Sequence, residues 1–176
     1  MRRKLNFEEI FSNRPSAEEL RNMQRKPIVA LIENIRSMHN VGSIFRSSDG
    51  ARINELLLSG FTPVPPRPEI SKTALGATET VPWRYVEDNV KAIEGLKQKG
   101  YTVYTVEQTT DSKNFYEVEY KFPLCLIMGN EVDGVSDNLV SRADCAIEIP
   151  MLGVKHSLNV SVAYGIILYH ILSKCM

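Results

Sequence analysis

The stretch Phe122-Pro123-Leu124-Cys125-Leu126-Ile127-Met128-Gly129-Asn130-Glu131-Val132-Asp133-Gly134-Val135-Ser136 decides the fold. Its first half, Phe122–Met128, is a continuous apolar run. That is the pattern of a strand buried on both faces, not of one that alternates between core and water. The run stops at Gly129, a polar loop follows, and a short helical pattern occupies Ser136–Arg142. A strand–loop–helix order of this kind implies parallel strands joined by crossovers.

The same alternation extends outward in both directions. Ile28–Ile32 reads as a strand, followed by a helix from about Val41 to Ala51 and a second strand over Glu55–Ser59. The segment Phe61–Pro68 (FTPVPPRP) is a loop, because its prolines would remove ladder donors from a central strand. Val81–Val86 fits a short strand, Asp88–Lys99 a helix stopped by Gly100, and Tyr101–Val106 (YTVYTV) a strand. Ala146–Ile149 is another strand, and an uncharged helix running from Ser157 to Ser173 closes the chain. The expected fold class is α/β, a mostly parallel sheet with helices on both faces. No internal repeat or interdomain linker interrupts it.

Composition sets limits on function. The chain has 176 residues, which fits about one domain, and it is 43% hydrophobic and 24% charged. Lys+Arg 21 balances Asp+Glu 21, so bulk charge does not hold this protein on nucleic acid and any such binding needs a local patch. Positive charge concentrates at the start: seven bases and four acids fall within residues 1–27. Residues 1–26 are expected to form a basic helical arm, with a helix start at Pro15-Ser16-Ala17-Glu18-Glu19, and residues 27–176 a single domain. The arm reads equally well as a solvated surface helix or as a contact for a polyanion. Cys125, Cys145 and Cys175 are odd in number and widely spaced. They are expected to be unpaired, with no structural zinc site, in a reducing cytoplasmic compartment. Acidic residues close behind the basic N-terminus argue against a secretory signal. The run Ser157–Ser173 is slightly short for a membrane span and carries Asn159, Ser161 and His170, so no membrane segment is expected.

In open parallel sheets ligands bind at the carboxyl ends of strands. Three strand ends carry unusual loops: Glu33–Arg46, Gly129–Ser136 and Pro150–Ala163. Neither G-x-G-x-x-G nor G-x-x-x-x-G-K-[ST] occurs, so the common phosphate cradles are missing. Glycines mixed with apolar and polar residues suit a close backbone approach to a flat, neutral group such as an adenine ring.

Taken together the loops read Asn40-x-Gly42-x-x-x-Arg46, then Gly129-Asn130-Glu131-x-x-Gly134-Val135-Ser136, then Ile149-Pro150-Met151-x-Gly153-x-x-x-Ser157-Leu158-Asn159-Val160-Ser161-Val162-Ala163. In order and spacing these resemble the three motifs of the SpoU (TrmH-like) family of SPOUT RNA methyltransferases, over roughly residues 27–172. Lys72–Ala77 also resembles that family's intervening segment. The resemblance implies a C-terminal trefoil knot, which physical reasoning alone would have disfavoured because threaded chains are rare. It further implies 2′-O-methylation of an RNA ribose with S-adenosylmethionine as cofactor, tRNA ahead of rRNA as substrate, and a homodimer. The alternative is a knotted RNA-binding or assembly module without turnover.

Carried over residue by residue, the cofactor contacts implied are Met128, Gly129, Ile149, Met151, Ser157 and Leu158, with Asn130 and Glu131 beside them. The implied catalytic set is Arg46, Asn40, Glu131 and Asn159. Arg46 is the natural anchor for phosphate and ribose, and a guanidinium suits charge stabilisation better than base action because it stays protonated. Glu131 is expected either to pair with Arg46 or to hold the asparagines, and Ser157 to cap the last helix. No residue pairs His39 or His156 at ligand spacing, so no metal is expected. Phe61–Pro68 and Trp83-Arg84-Tyr85 read either as packed loop and core aromatics or as part of an RNA surface.

Overall fold

A computed structural model of the protein describes residues 2–175. Met1 and Met176, the outer ends of the expected arm and domain, lie outside the described residues. The elements in order are α1 (Phe7–Ser12), α2 (Ala17–Asn22), β1 (Lys26–Glu33), α3 (Met38–Ala51), β2 (Ile53–Ser59), α4 (Pro68–Ala74) and α5 (Ala77–Thr80). There follow β3 (Trp83–Val86), α6 (Asn89–Gln98), β4 (Thr102–Val106), β5 (Lys113–Asn114), β6 (Leu124–Met128), α7 (Asp137–Val140), β7 (Cys145–Glu148) and α8 (Val160–Lys174). The strands form one sheet in the order β3-β2-β1-β6-β4-β7-β5, and every pairing is parallel.

The centre of that sheet is the pair β1 and β6, in register from Ile28 opposite Leu124 to Ile32 opposite Met128. All ten residues are buried, as continuous apolar runs require. Successive side chains leave on opposite faces. Ile28, Ala30, Ile32, Leu124 and Leu126 pack with Ile44 and Phe45 of α3 and Ile167, Leu168 and Ile171 of α8. Val29, Leu31, Cys125 and Ile127 pack with Ile93 and Leu96 of α6 and Leu139 of α7. Both faces are covered, as the sequence leads one to expect. Cys125 behaves as a buried hydrophobe, and burial pushes its thiol up to about 12. All three cysteines are free. Among the described residues no helix is long and apolar enough to cross a membrane.

Several elements differ from the sequence reading. The segment between Phe61 and Val86 contains two short helices, α4 and α5, that carried no clear periodicity. Pro68 opens α4, where its missing N–H costs nothing. Gly42 of α3 is the reason α4 packs so closely: a Cβ there would lie 2.1 Å from Thr73 Oγ1 and 2.3 Å from the Ile70 carbonyl oxygen. The last helix starts at Val160 rather than Ser157, because Asn159 is its cap and accepts from the Ser161 and Val162 amides. Near the N-terminus α2 begins where expected, with Ser16 and Glu19 forming a capping box. A second box, Asn6 with Glu9, opens the unexpected α1. The Arg52 guanidinium donates to the carbonyls of Leu20, Met23 and Gln24, tying the end of α2 to the sheet domain.

Helices α3 and α8 are joined by one buried polar contact, Ser48 Oγ to Tyr164 Oη at 2.7 Å, with both residues fully buried. Tyr164→Phe leaves the Ser48 hydroxyl without that partner and is expected to destabilise the fold by about 1–3 kcal/mol. Denaturant unfolding of the double variant Ser48→Ala/Tyr164→Phe is expected to recover most of the loss. Additive losses would contradict the pairing.

Candidate active site

The carboxyl ends of β6, β4 and β7 lie side by side, and a cleft of about 230 Å³ opens over them. Because β4 sits between β6 and β7, the loop leaving β7 meets the loop leaving β6 across the end of β4. Gln108, just beyond β4, ties the β7 loop to the end of β4 by donating from Nε2 to the His156 carbonyl at 2.6 Å. Met128, Gly129, Asn130, Ile149, Met151, Ser157 and Leu158, the seven residues implied for cofactor contact, all line the cleft.

The floor of the cleft is a tightly closed turn. Gly129 lies so near the returning chain that a Cβ would sit 2.2 Å from both the Gly134 carbonyl carbon and the Val135 nitrogen. Asn130 and Gly134 exchange backbone hydrogen bonds of 2.9 and 3.0 Å, and Gly134 takes φ +71°. The buried Asn130 side chain shapes the turn: Oδ1 accepts from the amides of Val132 and Asp133, and Nδ2 donates to the Asn34 carbonyl at 2.7 Å. Asn130 therefore meets the cleft chiefly as backbone. Glu107, which the sequence reading missed, accepts from the Val135 amide at 2.9 Å. The only hint of its role is its place directly after the Tyr101–Val106 run. Glu33 opens the first loop, and its sequence position alone assigns it no role. It is a buried carboxylate that accepts from the Ser136 amide, the Ser136 hydroxyl and Asn89 Nδ2, each at 2.9 Å.

Three of the four residues implied for catalysis converge at the mouth. Asn40, in the first turn of α3, donates from Nδ2 to Glu131 Oε1 at 2.9 Å, while its Oδ1 accepts from Asn159 Nδ2 at 3.1 Å. Of the two roles open to Glu131, the structure shows the asparagine network. Its other oxygen accepts from the Arg36 amide at 3.4 Å. Arg46 stands apart: it is exposed and has no carboxylate partner among the described residues. Six residues along α3 from Asn40, it lies about 9 Å further along the axis and about 240° round the helix. His156 lines the cleft, whereas His39 contributes its carbonyl to Ser43 and Thr73. No group of side chains among the described residues has metal-binding geometry.

The lining is acidic. Glu107, Glu131, Asp133 and Glu148 line the cleft, and among the described residues no lysine or arginine does. Phosphates would meet repulsion there, while a cationic ligand would be favoured. Met128, Ile149, Leu158 and Val160 supply apolar wall between these carboxylates.

Fold and site together define a parallel α/β protein whose ligand cleft is built from strand-end loops and carries no phosphate cradle. The model of the SpoU rRNA Methylase family matches residues 27–169, and the chain belongs to that family. It is 35% identical over 158 residues to the tRNA (guanosine(18)-2′-O)-methyltransferase of Thermus thermophilus, a match that covers 90% of this chain and 80% of that protein. In structure it resembles the TrmH/SpoU tRNA modifying enzyme of A. aeolicus, with TM-score 0.81 and 31% identity over 89% of this chain and 81% of that one. It also resembles an AdoMet-bound rRNA methyltransferase from Sinorhizobium meliloti, with TM-score 0.80 and 26% identity over 89% of this chain and 60% of that one.

Two glycines separate packing from motif membership. Gly129→Ala forces backbone apart and is expected to cost about 1–3 kcal/mol or more. A Cβ on Gly153 would meet nothing within 4 Å, so Gly153→Ala is expected to leave thermal stability unchanged. Equal melting temperatures for the two variants would contradict the packing assigned to the cleft floor.

Proposed function

We propose that this protein transfers a methyl group from S-adenosylmethionine to the 2′-hydroxyl of a ribose in RNA, with tRNA as the favoured substrate. The single observation that carries the proposal is the meeting of an acidic, phosphate-averse cleft with the Asn40–Glu131–Asn159 network at its mouth. The residues fit the cofactor. An adenosyl group suits the apolar walls and loop backbone, and a sulfonium and an ammonium suit the carboxylates. The preference for tRNA is supported by the relatives: the chain spans four fifths of the two tRNA enzymes but 60% of the rRNA enzyme. The knot is part of the same reading, supported by the family match and by the return of α8 to pack on α3.

When bound, the cofactor supplies an electrophilic methyl carbon for in-line displacement by the ribose oxygen. This chain's residues have to align that oxygen and assist loss of its proton. Alignment of bound reactants is worth on the order of 7–11 kcal/mol, more than the roughly 10²–10⁴-fold of general base catalysis. Glu131 holds Asn40 and Asn40 holds Asn159, so the mouth presents fixed amide groups to the ribose without adding charge. Asn159 also caps α8, so displacing it would disturb the helix that follows.

Arg46 is read as the phosphate and ribose anchor, acting from the partner subunit. Helices α3 and α8 cover the same sheet face, and the outer face of α8 carries Val162, Ile166 and Tyr169 at 50%, 40% and 50% exposure. The inner face of the helix is apolar as well, so this outer stripe needs its own cover. A two-fold partner seated on it would bring its α3 outer face, and Arg46, toward the facing mouth. The basic arm adds Arg2, Lys4 and Arg14, all exposed, as phosphate contacts. The compartment is read as cytoplasmic, supported by the three free cysteines.

Incubation of purified tRNA or rRNA with methyl-labelled cofactor is expected to yield alkali-resistant 2′-O-methyl dinucleotides. Failure to label either tRNA or rRNA, with no binding of cofactor, would favour a module without turnover. Arg46→Ala is expected to lower turnover at least about 10²-fold while calorimetry finds cofactor affinity nearly intact. Equal loss of both would show Arg46 misplaced. Ile166→Asp is expected to shift the protein from dimer to monomer in sedimentation. An unchanged dimer would contradict the role given to α8.

A further inference from the structure

Beyond the cleft, on the far side of Glu131 from the cofactor residues, an aromatic ring stands exposed on a rigid turn. Phe61 is 56% exposed, yet its backbone is fixed: its amide donates to Asn34 Oδ1 at 3.2 Å. The residue before it, Gly60, has φ +62°, and a Cβ there would lie 1.8 Å from the same Asn34 oxygen. The Gly60 carbonyl accepts from the hydroxyl of Tyr85, itself 45% exposed, at 2.8 Å. On the other side, Thr62 is buried and donates to the Ile32 carbonyl. The chain is thus anchored before and after Phe61 while the ring faces water. The Arg36 guanidinium lies 5.9 Å from its centroid and has no carboxylate partner among the described residues. Arg36 in turn donates its amide to Glu131, one step from the catalytic network.

We infer that Phe61, with Arg36 and Tyr85 beside it, is a stacking platform for an unpaired base of the substrate strand next to the methylated ribose. The inference rests on the RNA reading above and assigns Phe61 as a positioning residue for that reaction. A ring on an anchored backbone loses no backbone entropy on binding, and a base offers a matching π-face whatever its identity. The unpaired Arg36 guanidinium over the ring suits the phosphate or the base plane of the same strand, while the 56% exposure of Phe61 leaves ring surface open to a base. Stacking on the ring requires a base that is unpaired, so the substrate site is single-stranded or opened.

The test uses the full-length protein, small RNA from cells lacking it, and methyl-labelled cofactor. Phe61→Ala is expected to raise KM for RNA at least about fivefold. The effect should fall on KM rather than kcat, with cofactor affinity and melting temperature unchanged and Phe61→Trp restoring KM. A short single-stranded RNA containing 2-aminopurine should show emission quenched by the wild type and by Phe61→Trp, but not by Phe61→Ala. An unchanged KM, or a change in oligomeric state instead, would overturn the platform. If the wild type transfers no methyl group at all, the methyltransferase reading fails, and the 2-aminopurine measurement still decides the platform.

Discussion

Backbone pressed against backbone at Gly129 is the constraint on which the rest depends. β6 is buried along its whole length and ends where the chain must turn back within van der Waals contact of Gly134 and Val135. No side chain fits there, so the turn is closed by hydrogen bonds: the Asn130–Gly134 pair, the Asn130 side chain and the Glu107 carboxylate. Glu33 then fastens the far end of the turn to β1 and α6. A carboxylate buried this deeply would be costly if unpaired, and three donors offset that cost. The floor of the cleft is therefore stiff before any ligand arrives, which is what alignment of two reactants requires.

The wall opposite is different in kind. Residues 152–159 are exposed, including Leu152 and Val154 at 98% and 102%. This wall is held at few points: Gln108 on the His156 carbonyl, and Asn159 on Asn40. A stiff floor and a lightly held wall suit a site that must admit a cofactor and then present it to a macromolecule. The acidic lining of the cleft favours a cationic ligand over a phosphate.

Much of this was legible in the sequence. The continuous apolar runs Ile28–Ile32 and Phe122–Met128 gave the two central strands, and the seven cofactor contacts implied by the family resemblance are among the residues that line the cleft. What was not legible came from tertiary position. The order β6-β4-β7 places Glu107 and Gln108 in the site, yet nothing in YTVYTV announces which strands flank it. Ser157 looked like a cap, but Asn159 holds that place because its amide serves α8 and Asn40 together. Arg46 shares a motif with Asn40 but not a helix face, since a spacing of six residues turns the side chain away. Phe61 in a proline-rich loop carried no periodicity, and only its fixed backbone and open ring distinguish it from packing.

A crystal structure with S-adenosylhomocysteine bound tests the central claim most directly. The ligand is expected between the Gly129–Gly134 turn and residues 149–158, with its sulfur facing the Asn40–Glu131–Asn159 mouth. A ligand seated elsewhere on the sheet, or one that leaves that mouth remote from its sulfur, would contradict it.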